Sequence, residues 1–533
     1  MTVDPSAPDS SGARRVADPG SSTVGGPARR AAGGAAFSGV LGWTVLGAVI
    51  PGLGLIKAGR RLAGGLVLGL YVLVLGGAAA LYLTNQRWVT SQLVKPDVLQ
   101  GIAGVLLTIA VTWVAVIGLS HLSLRPANPS VAQRAASAAV VGLLSVLVAA
   151  PLAVGANAAW STAGAVRTIF GEDTEPNSTQ PTLNAEDPWR DKDRLNILIL
   201  GGDSGNNRSS ALGDRTDTVM VASVDTHSGA TTLFTLPRNT ERMPFPKDSP
   251  LHGYYPNGFY NGTGPDRAEY LLNAMYRNVP GRVPDDVLGK TKNFAADVVK
   301  VSVGEALGLD LDYYVLVNMD GFRDFINAIG GITVNVNYRI PIGGNTDQRR
   351  PPESYIEPGP NQHLKGRLAL WYARGRYGLD DYKRMERQRC VINAVVQQTS
   401  PQAVLTNFQS ILAAGEKTIQ TDVPGRLLPD LVELGMKVKG TPLRSVVFTP
   451  GVAGFQSYNP NWPAVRARVQ KALKETAKGV PDPSATPSAT STASATPTAS
   501  GTSSPSASSS PSKTPKPKSD DLEDICGYHP EKP

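Results

Sequence analysis

The chain has 533 residues, with 52 Lys and Arg against 44 Asp and Glu, a formal net charge of +8 and 2 cysteines. That length is too great for one ordinary domain, and so few cysteines exclude a disulfide-dense scaffold or a Cys-rich zinc site. The charge excess is too dilute for a nucleic-acid binder and fits anionic lipid head groups or a phosphate-bearing substrate better; His121, His227, His252, His363 and His529 show no metal-ligand spacing.

Residues 1–35 are small and polar, carry Arg14, Arg15, Arg29 and Arg30, and are expected to be disordered. They lack the short apolar core of a signal peptide. Four uncharged apolar stretches follow at 36–56, 62–83, 99–120 and 135–159. Each reaches the roughly 20 residues that a helix needs to cross a bilayer, which predicts a transmembrane region of three or four spans over 36–159. Lys57, Arg60 and Arg61 lie in the first join and Arg125 and Arg134 in the third. Positive charge favours the cytoplasmic side, so both joins are placed inside. The run Pro51-Gly52-Leu53-Gly54 lets the first stretch either span or enter and return. Both arrangements export everything after residue 160, and residues 160–194 read as a tether.

From Leu195 the pattern is that of an α/β domain. Residues 196–200 form a short apolar run ending in Gly201-Gly202-Asp203, a buried strand entering a loop. Residues 219–224 and 231–236 bracket Thr226-His227-Ser228-Gly229, which reads as a hairpin. A helix is expected over 322–329, a strand over 332–336 and a long helix over 384–398. The domain core is assigned to 195–400 and its C-terminal part to 401–480. Residues 481–519 are a Ser/Thr/Pro/Ala linker, and the tail 520–533 regains apolar character around Cys526.

Chemistry-bearing residues stand at element ends, where α/β folds place ligands. Asp203 follows the first strand, Arg215 and Asp217 open the second, and Arg238 follows the third. Each singly reads as a turn residue; together they form the mixed acid–base group that a metal-bound polyphosphate needs. A denser cluster contains Arg374, Arg376, Asp380, Asp381, Lys383, Arg384, Arg387, Gln388 and Arg389, in which 384, 387 and 388 are expected to share a helix face. A solvated charged helix is the alternative. Five of the six cations are Arg, whose guanidinium engages phosphate oxygens in bidentate fashion.

Five blocks in order resemble the LytR–CpsA–Psr family: Asn196 to Ser204; Arg215-Thr-Asp217-Thr218; Leu236-Pro-Arg238-Asn-Thr240; Leu311 to Val336, with Asp312-Tyr-Tyr-Val-Leu-Val-Asn318 and Ile329-Gly-Gly-Ile; and Leu364 to Gln388, with Ala369-Leu-Trp-Tyr-Ala-Arg374-Gly-Arg376 and Asp381-Tyr-Lys-Arg384-Met-Glu-Arg387-Gln388. The resemblance implies a three-layer α/β/α sandwich on a helical membrane anchor, here multi-span and of the actinobacterial type, with a hydrophobic pocket for a polyprenyl chain. It implies Mg²⁺ (or Mn²⁺) on Asp203 and Asp217. A pyrophosphate would be held by Arg215, Arg238, Arg374, Arg376, Arg384 and Gln388, with Asp381 orienting an arginine or serving as a base. The implied reaction attaches an anionic glycopolymer from undecaprenyl pyrophosphate to peptidoglycan, releasing undecaprenyl phosphate. Expected partners are the lipid-linked glycan, peptidoglycan and membrane lipid, with no nucleic acid. A lipid pyrophosphatase and a non-enzymatic envelope regulator stay open as alternatives. The chain departs from the family at Leu271, where a Lys is usual before the Asn273-Ala274 pair, and at Asn239, where Asp is usual. The long segment 244–293 is expected to cover the pocket.

Two cysteines in an exported region are an even number in an oxidising setting. Cys390 lies on the helix of Arg384 and Gln388, and the linker lets Cys526 reach back to it, which predicts a Cys390–Cys526 disulfide. The alternative is a buried Cys390 and an unrelated tail thiol.

Overall fold

The computed structural model describes residues 28–170, 177–203, 215–399, 419–478 and 520–530, apart from single positions among them (86, 87, 90, 91, 94, 127, 185, 263 and 347). The expected disordered tail up to residue 27 and the linker 481–519 lie outside the described residues, as does 401–418. The chain divides into two compact units, residues 1–79 with 107–153 and residues 80–106 with 154–533.

The apolar region forms α1 (Ala28–Val49), α2 (Leu53–Lys57), α3 (Arg61–Thr84), α4 (Pro96–Leu124) and α5 (Val131–Phe170). Helix α1 begins inside the stretch assigned to the disordered tail, a correction at residues 28–35. The first apolar stretch is broken at Pro51 and Gly52. Gly52 adopts φ +99°, and a side chain there would run into the Gly64 carbonyl. Among the described residues three helices, α3, α4 and α5, are long and apolar enough to cross a membrane. Leu66, Leu70 and Leu73 on α3 are more than 60% exposed, an apolar surface with no protein partner that hydrocarbon would cover. Within the first unit, the Trp113 indole donates to the Ala48 carbonyl at 2.9 Å, and Thr44 meets the His121 ring at 3.0 Å.

The second unit is built on a seven-stranded sheet. Its strands are β1 (Arg194–Gly202), β2 (Thr216–Asp225), β3 (Thr231–Thr235), β4 (Tyr313–Val317), β9 (Ile419–Thr421), β10 (Leu443–Val447) and β11 (Asp520–Asp521). Their spatial order is β11-β10-β3-β2-β1-β4-β9. Strand β1 is an interior strand, antiparallel to β2 and parallel to β4. Its run Ile197-Leu198-Ile199-Leu200 serves both faces, as expected of a strand covered on two sides. The β2–β3 hairpin turns at Gly229, whose φ of +78° and close approach to the Lys437 backbone exclude a side chain. Two small pairs complete the strands: β5 (Ile332–Val336) with β8 (Gly359–Leu364), and β6 (Ile340–Ile342) with β7 (Ser354–Ile356).

Helices cover both sheet faces, giving three layers. On one face Leu198, Leu200, Val221, Phe234 and Val446 pack against α7 (Leu272–Asn278), α8 (Phe294–Leu307) and α13 (Trp462–Lys478), while α6 (Pro250–Tyr254) adds Leu251. The other face carries α9 (Met319–Ala328), α10 (Gly366–Arg374), α11 (Asp381–Gln398) and α12 (Leu428–Lys439). Side chains cap three helix starts: Asn293, Asn318 and Asp380 accept from the backbone N–H of Ala296, Gly321 and Lys383 at 3.1, 2.7 and 2.7 Å. Each such cap stabilises its helix by about 1 kcal/mol.

Three expectations are corrected here. The tether is not a free spacer: α5 runs on to Phe170, and Leu183 and Trp189 pack with Leu195, Val224 and Tyr313. Asn177 donates to buried Asp297 at 3.1 Å, and Thr179 bonds the same carboxylate. Polar composition concealed a segment that satisfies a buried charge. Lys300 lies between Asp297 (3.2 Å) and Asp422 (2.6 Å), and Asp422 accepts the Tyr314 N–H. The segment 244–293 is core rather than cover. Phe259, Leu272, Met275 and Val279 are buried against α8. Finally, the expected shared face at 384, 387 and 388 divides. Arg387 turns to the Tyr372 and Gly375 carbonyls and the Tyr338 hydroxyl, where it holds the end of α10.

Cys390 and Cys526 form a disulfide across 136 residues, with Cα atoms 5.5 Å apart. The tail pairs β11 with β10 and buries Leu522 from α14 (Leu522–Ile525) against Leu233 and Leu443, so it also covers a sheet edge. Cys526→Ser is expected to lower stability by about 2–4 kcal/mol, the usual contribution of a structural disulfide. Denaturant unfolding of oxidised protein checks this; an unchanged midpoint would show that β11 pairing alone fixes the tail.

Candidate active site

The carboxyl ends of β1 and β4 open onto a cavity of about 230 Å³. Its wall is apolar: Ile199, Leu200, Met220, Val317, Phe322 and Leu370, with Val391 and Ile392 from α11. Its mouth carries the charges of Asp203, Asp217, Arg374, Arg376 and Arg384, with the neutral amide of Gln388. The sheet's inner face and the helices α9 to α11 form the wall, and the strand ends and the start of α11 form the mouth.

Asp203 follows β1, and its N–H donates to the Arg215 carbonyl at 2.9 Å, joining the two loop ends. Its carboxylate lies 3.9 Å from the Arg374 guanidinium. Arg374 also rests 5.0 Å from the Trp371 ring and touches the Met319 sulfur. Asp217 is the hub. It takes Arg238 at 2.9 Å and Asn273 at 3.1 Å, and Arg384 approaches at 3.9 Å. Arg238 continues to Asp381 at 3.5 Å, and Arg384 binds Asp381 at 3.1 Å. Asp381 therefore pairs with two arginines at once.

The charge states follow from this packing. Burial raises the Asp217 pKa, but Arg238, Arg384 and the Asn273 hydrogen bond outweigh it and hold the carboxyl below the usual range. Burial lowers Arg238, and Asp217 and Asp381 more than restore it, leaving it raised. Arg384, 4% exposed, is pushed down to about 10 by burial, against the pull of Asp381 and with help from Arg238. It remains charged at neutral pH. A carboxyl depressed by folding stabilises above its unfolded pKa, about 4, and that stability is lost as pH falls through the lower folded value. Asp217→Asn is therefore expected to flatten the acid limb of the stability curve below about pH 4. Unfolding midpoints across that range check it, and an unchanged acid limb would contradict the network.

The structure brings together eight of the expected residues: Asp203, Asp217, Arg374, Arg376, Arg384 and Gln388, with Arg238 through Asp217 and Asp381 through Arg384. It directs Arg215 elsewhere. The Arg215 guanidinium binds Glu269 at 2.6 Å, outside the cavity lining, and Glu269 also takes Arg277 and Asn278. Glu269 and Arg277 lie 54 residues or more from Arg215 in a segment without a motif, so nothing in the sequence pointed to this clasp. Arg384 proves buried rather than exposed, and Arg389 is bound to Ser445 at 2.6 Å on the far side of α11. Among the described residues no three His, Cys, Asp or Glu side chains converge as a metal cage.

A sandwich with an apolar cavity under an arginine–carboxylate mouth defines a protein able to hold an anionic head group with an apolar tail below it. Residues 166–450 match the LytR_cpsA_psr family, and the chain belongs to that family. Over 347 residues it is 28% identical to the polyisoprenyl-teichoic acid–peptidoglycan teichoic acid transferase TagU of Enterococcus faecalis, covering 63% of this chain and 95% of that relative. Over 260 residues it is 27% identical to biofilm regulatory protein A of Streptococcus mutans, covering 48% of this chain and 56% of the relative. The crystal structure of TagV from B. subtilis covers 54% of this chain and 99% of that one, at 23% identity and a TM-score of 0.36.

Proposed function

We propose that this protein transfers an anionic glycopolymer from undecaprenyl pyrophosphate to peptidoglycan. The observation that carries the reading is the convergence of Arg238, Arg374, Arg376 and Arg384 with Asp203 and Asp217 over an apolar cavity. The name of the Enterococcus faecalis relative supports the same substrate class. The isoprene units next to the pyrophosphate occupy the cavity, and the two phosphates lie across the mouth. A peptidoglycan sugar hydroxyl attacks the phosphorus nearer the glycan. The new P–O bond forms a phosphodiester, the bond to the bridging oxygen breaks, and undecaprenyl phosphate leaves. The acceptor proton passes to a carboxylate at the mouth. Arg374, Arg376 and Arg384 stabilise charge growing on the bridging and terminal oxygens, while Asp381 and Asp217 fix the arginine planes. Gln388 offers its amide to a phosphate oxygen.

Two carboxylates are the usual protein share of a Mg²⁺ site whose other positions go to phosphate and water. Asp203 and Asp217, on adjoining strand ends, fit Mg²⁺ (or Mn²⁺) in that way. The ion supplies Lewis-acid polarisation of the phosphoryl oxygens when bound.

The reaction requires the α/β domain outside the cell, with the apolar helices as a multi-pass anchor. Reporter fusions placed after residue 160 are expected to be active only for an exported reporter; activity of a cytoplasm-only reporter would exclude the peptidoglycan acceptor. For the activity itself, the full chain with lipid-linked glycan and peptidoglycan fragments is expected to yield glycan-bearing fragments. Free phosphoglycan with no adduct would make the protein a pyrophosphatase.

A further inference from the structure

A second cavity, about 590 Å³, lies at the other end of α11. It is bounded by the β5–β8 pair, the C-terminal half of α11, the turn from α12 into β10, and the tail residues Glu523, Cys526 and Gly527. None of these belongs to the mouth described above. The cavity is open to solvent, with Asn361 and Glu523 exposed at its rim. The chain lines it with amides. Asn393 and Gln397 stand one turn apart on α11, and Asn361 faces them from β8.

Their hydrogen bonding is incomplete. Among the described residues the Asn393 and Asn361 side-chain amides have no protein partner, and Gln397 uses only its N–H, toward the Thr441 carbonyl at 3.3 Å. Asn335, by contrast, is engaged at both ends: its N–H₂ donates to the Cys526 carbonyl at 2.9 Å and its oxygen accepts the Asn361 N–H at 2.8 Å. The wall is thus held rigid while three amides stay available.

The lining selects a chemistry. It carries one cation, Lys439, and one anion, Glu523, so it does not concentrate a polyanion. It has no large apolar surface for a lipid tail. Amides present donors and acceptors together, as vicinal hydroxyls and acetamido groups require. We propose that this cavity binds an uncharged glycan segment, and that the disulfide-held tail exists to form one of its walls. Along α11, at 1.5 Å per residue, the rise from Gln388 at the mouth to Asn393 in this cavity is about 8 Å, and from Arg384 to Gln397 about 20 Å. A sugar chain reaching both sites would be gripped at a distance from the reacting centre. The binding does not depend on the reaction assigned above.

The wall strand supplies this chemistry, and the probes separate it from the charged backbone of a transferred polymer. A β-1,4-linked N-acetylglucosamine hexamer is titrated against the full chain in detergent micelles by calorimetry, beside a polyglycerol phosphate of similar length. The hexamer is expected to bind saturably and the polyanion not to compete. Asn393→Leu with Gln397→Leu is expected to weaken the hexamer at least tenfold, with Asn361→Ala, on the exposed strand edge, as a second variant that leaves α11 intact. Cys526→Ser, which frees the wall, is expected to weaken it as well. Arg374→Ala is expected to leave hexamer binding unchanged. Loss of binding in Arg374→Ala with retention in the amide variants would place the sugar in the catalytic mouth and overturn the proposal. So would displacement of the hexamer by the polyanion, or no hexamer binding at all.

Discussion

Arg374→Ala is expected to lower transfer by about 10- to 150-fold, the equivalent of the roughly 1.5–3 kcal/mol carried by a charge-assisted contact to a desolvated phosphate. Arg374 is the site arginine whose removal disturbs the fold least. Its side chain is 30% exposed, rests on Trp371 and Met319, and approaches Asp203 only to 3.9 Å. Its guanidinium ends α10 at the cavity rim, so its charge faces the mouth. Thermal stability is expected to change by less than about 1 kcal/mol, as for other substitutions outside the core. Lys383→Ala is the control: Lys383 lies 4.5 Å from the Tyr338 ring, on the side of α11 away from the cavity, and transfer should stay near wild type. Equal losses in both variants would mean that the site reads bulk positive charge rather than a placed guanidinium.

Arg384→Met is expected to behave differently, losing both transfer and stability. Arg384 is 4% exposed between Asp381 and the Asp217 backbone, 3.1 Å from each. Removing one partner from a buried ion network costs about 3–5 kcal/mol because the remaining charges stay behind. Here the low end applies, since Asp217 and Asp381 keep Arg238 and some water. The pH dependence carries the signature. In the wild type Arg384 helps hold the Asp217 carboxyl down, so part of its stabilisation is present above about pH 4 and lost below. The variant should therefore differ most from wild type at neutral pH and converge with it in acid. A constant offset across pH would mean that lost packing, not lost charge, dominates.

The contrast between these two arginines shows what was legible in advance. The first strand, the hairpin and the order of the motif blocks could be read because each depends on residues close in sequence. The mouth could be read because its members sit at strand ends and at the start of α11. What could not be read depends on distant partners. Arg384, Arg387 and Arg389 look alike in a charged helix, yet one faces the cavity, one holds the end of α10 and one bonds Ser445. Arg215 carries a motif position but is clasped by Glu269. Polar residues 177–193 look like a spacer because their partners, Asp297 and the Leu195–Tyr313 surface, come from elsewhere in the chain. The segment 244–293 has too few periodic apolar positions to reveal that Phe259, Leu272 and Met275 fill the layer beside α8.

Transfer and hydrolysis differ in the oxygen that ends on phosphorus, so the most direct test is to run the reaction in ¹⁸O-labelled water. The full-length protein is given lipid-linked glycan and peptidoglycan, and the products are read by mass spectrometry. Transfer predicts glycan joined to peptidoglycan through an unlabelled phosphodiester, with undecaprenyl phosphate released. Phosphoglycan carrying ¹⁸O, with no peptidoglycan adduct, would contradict the account.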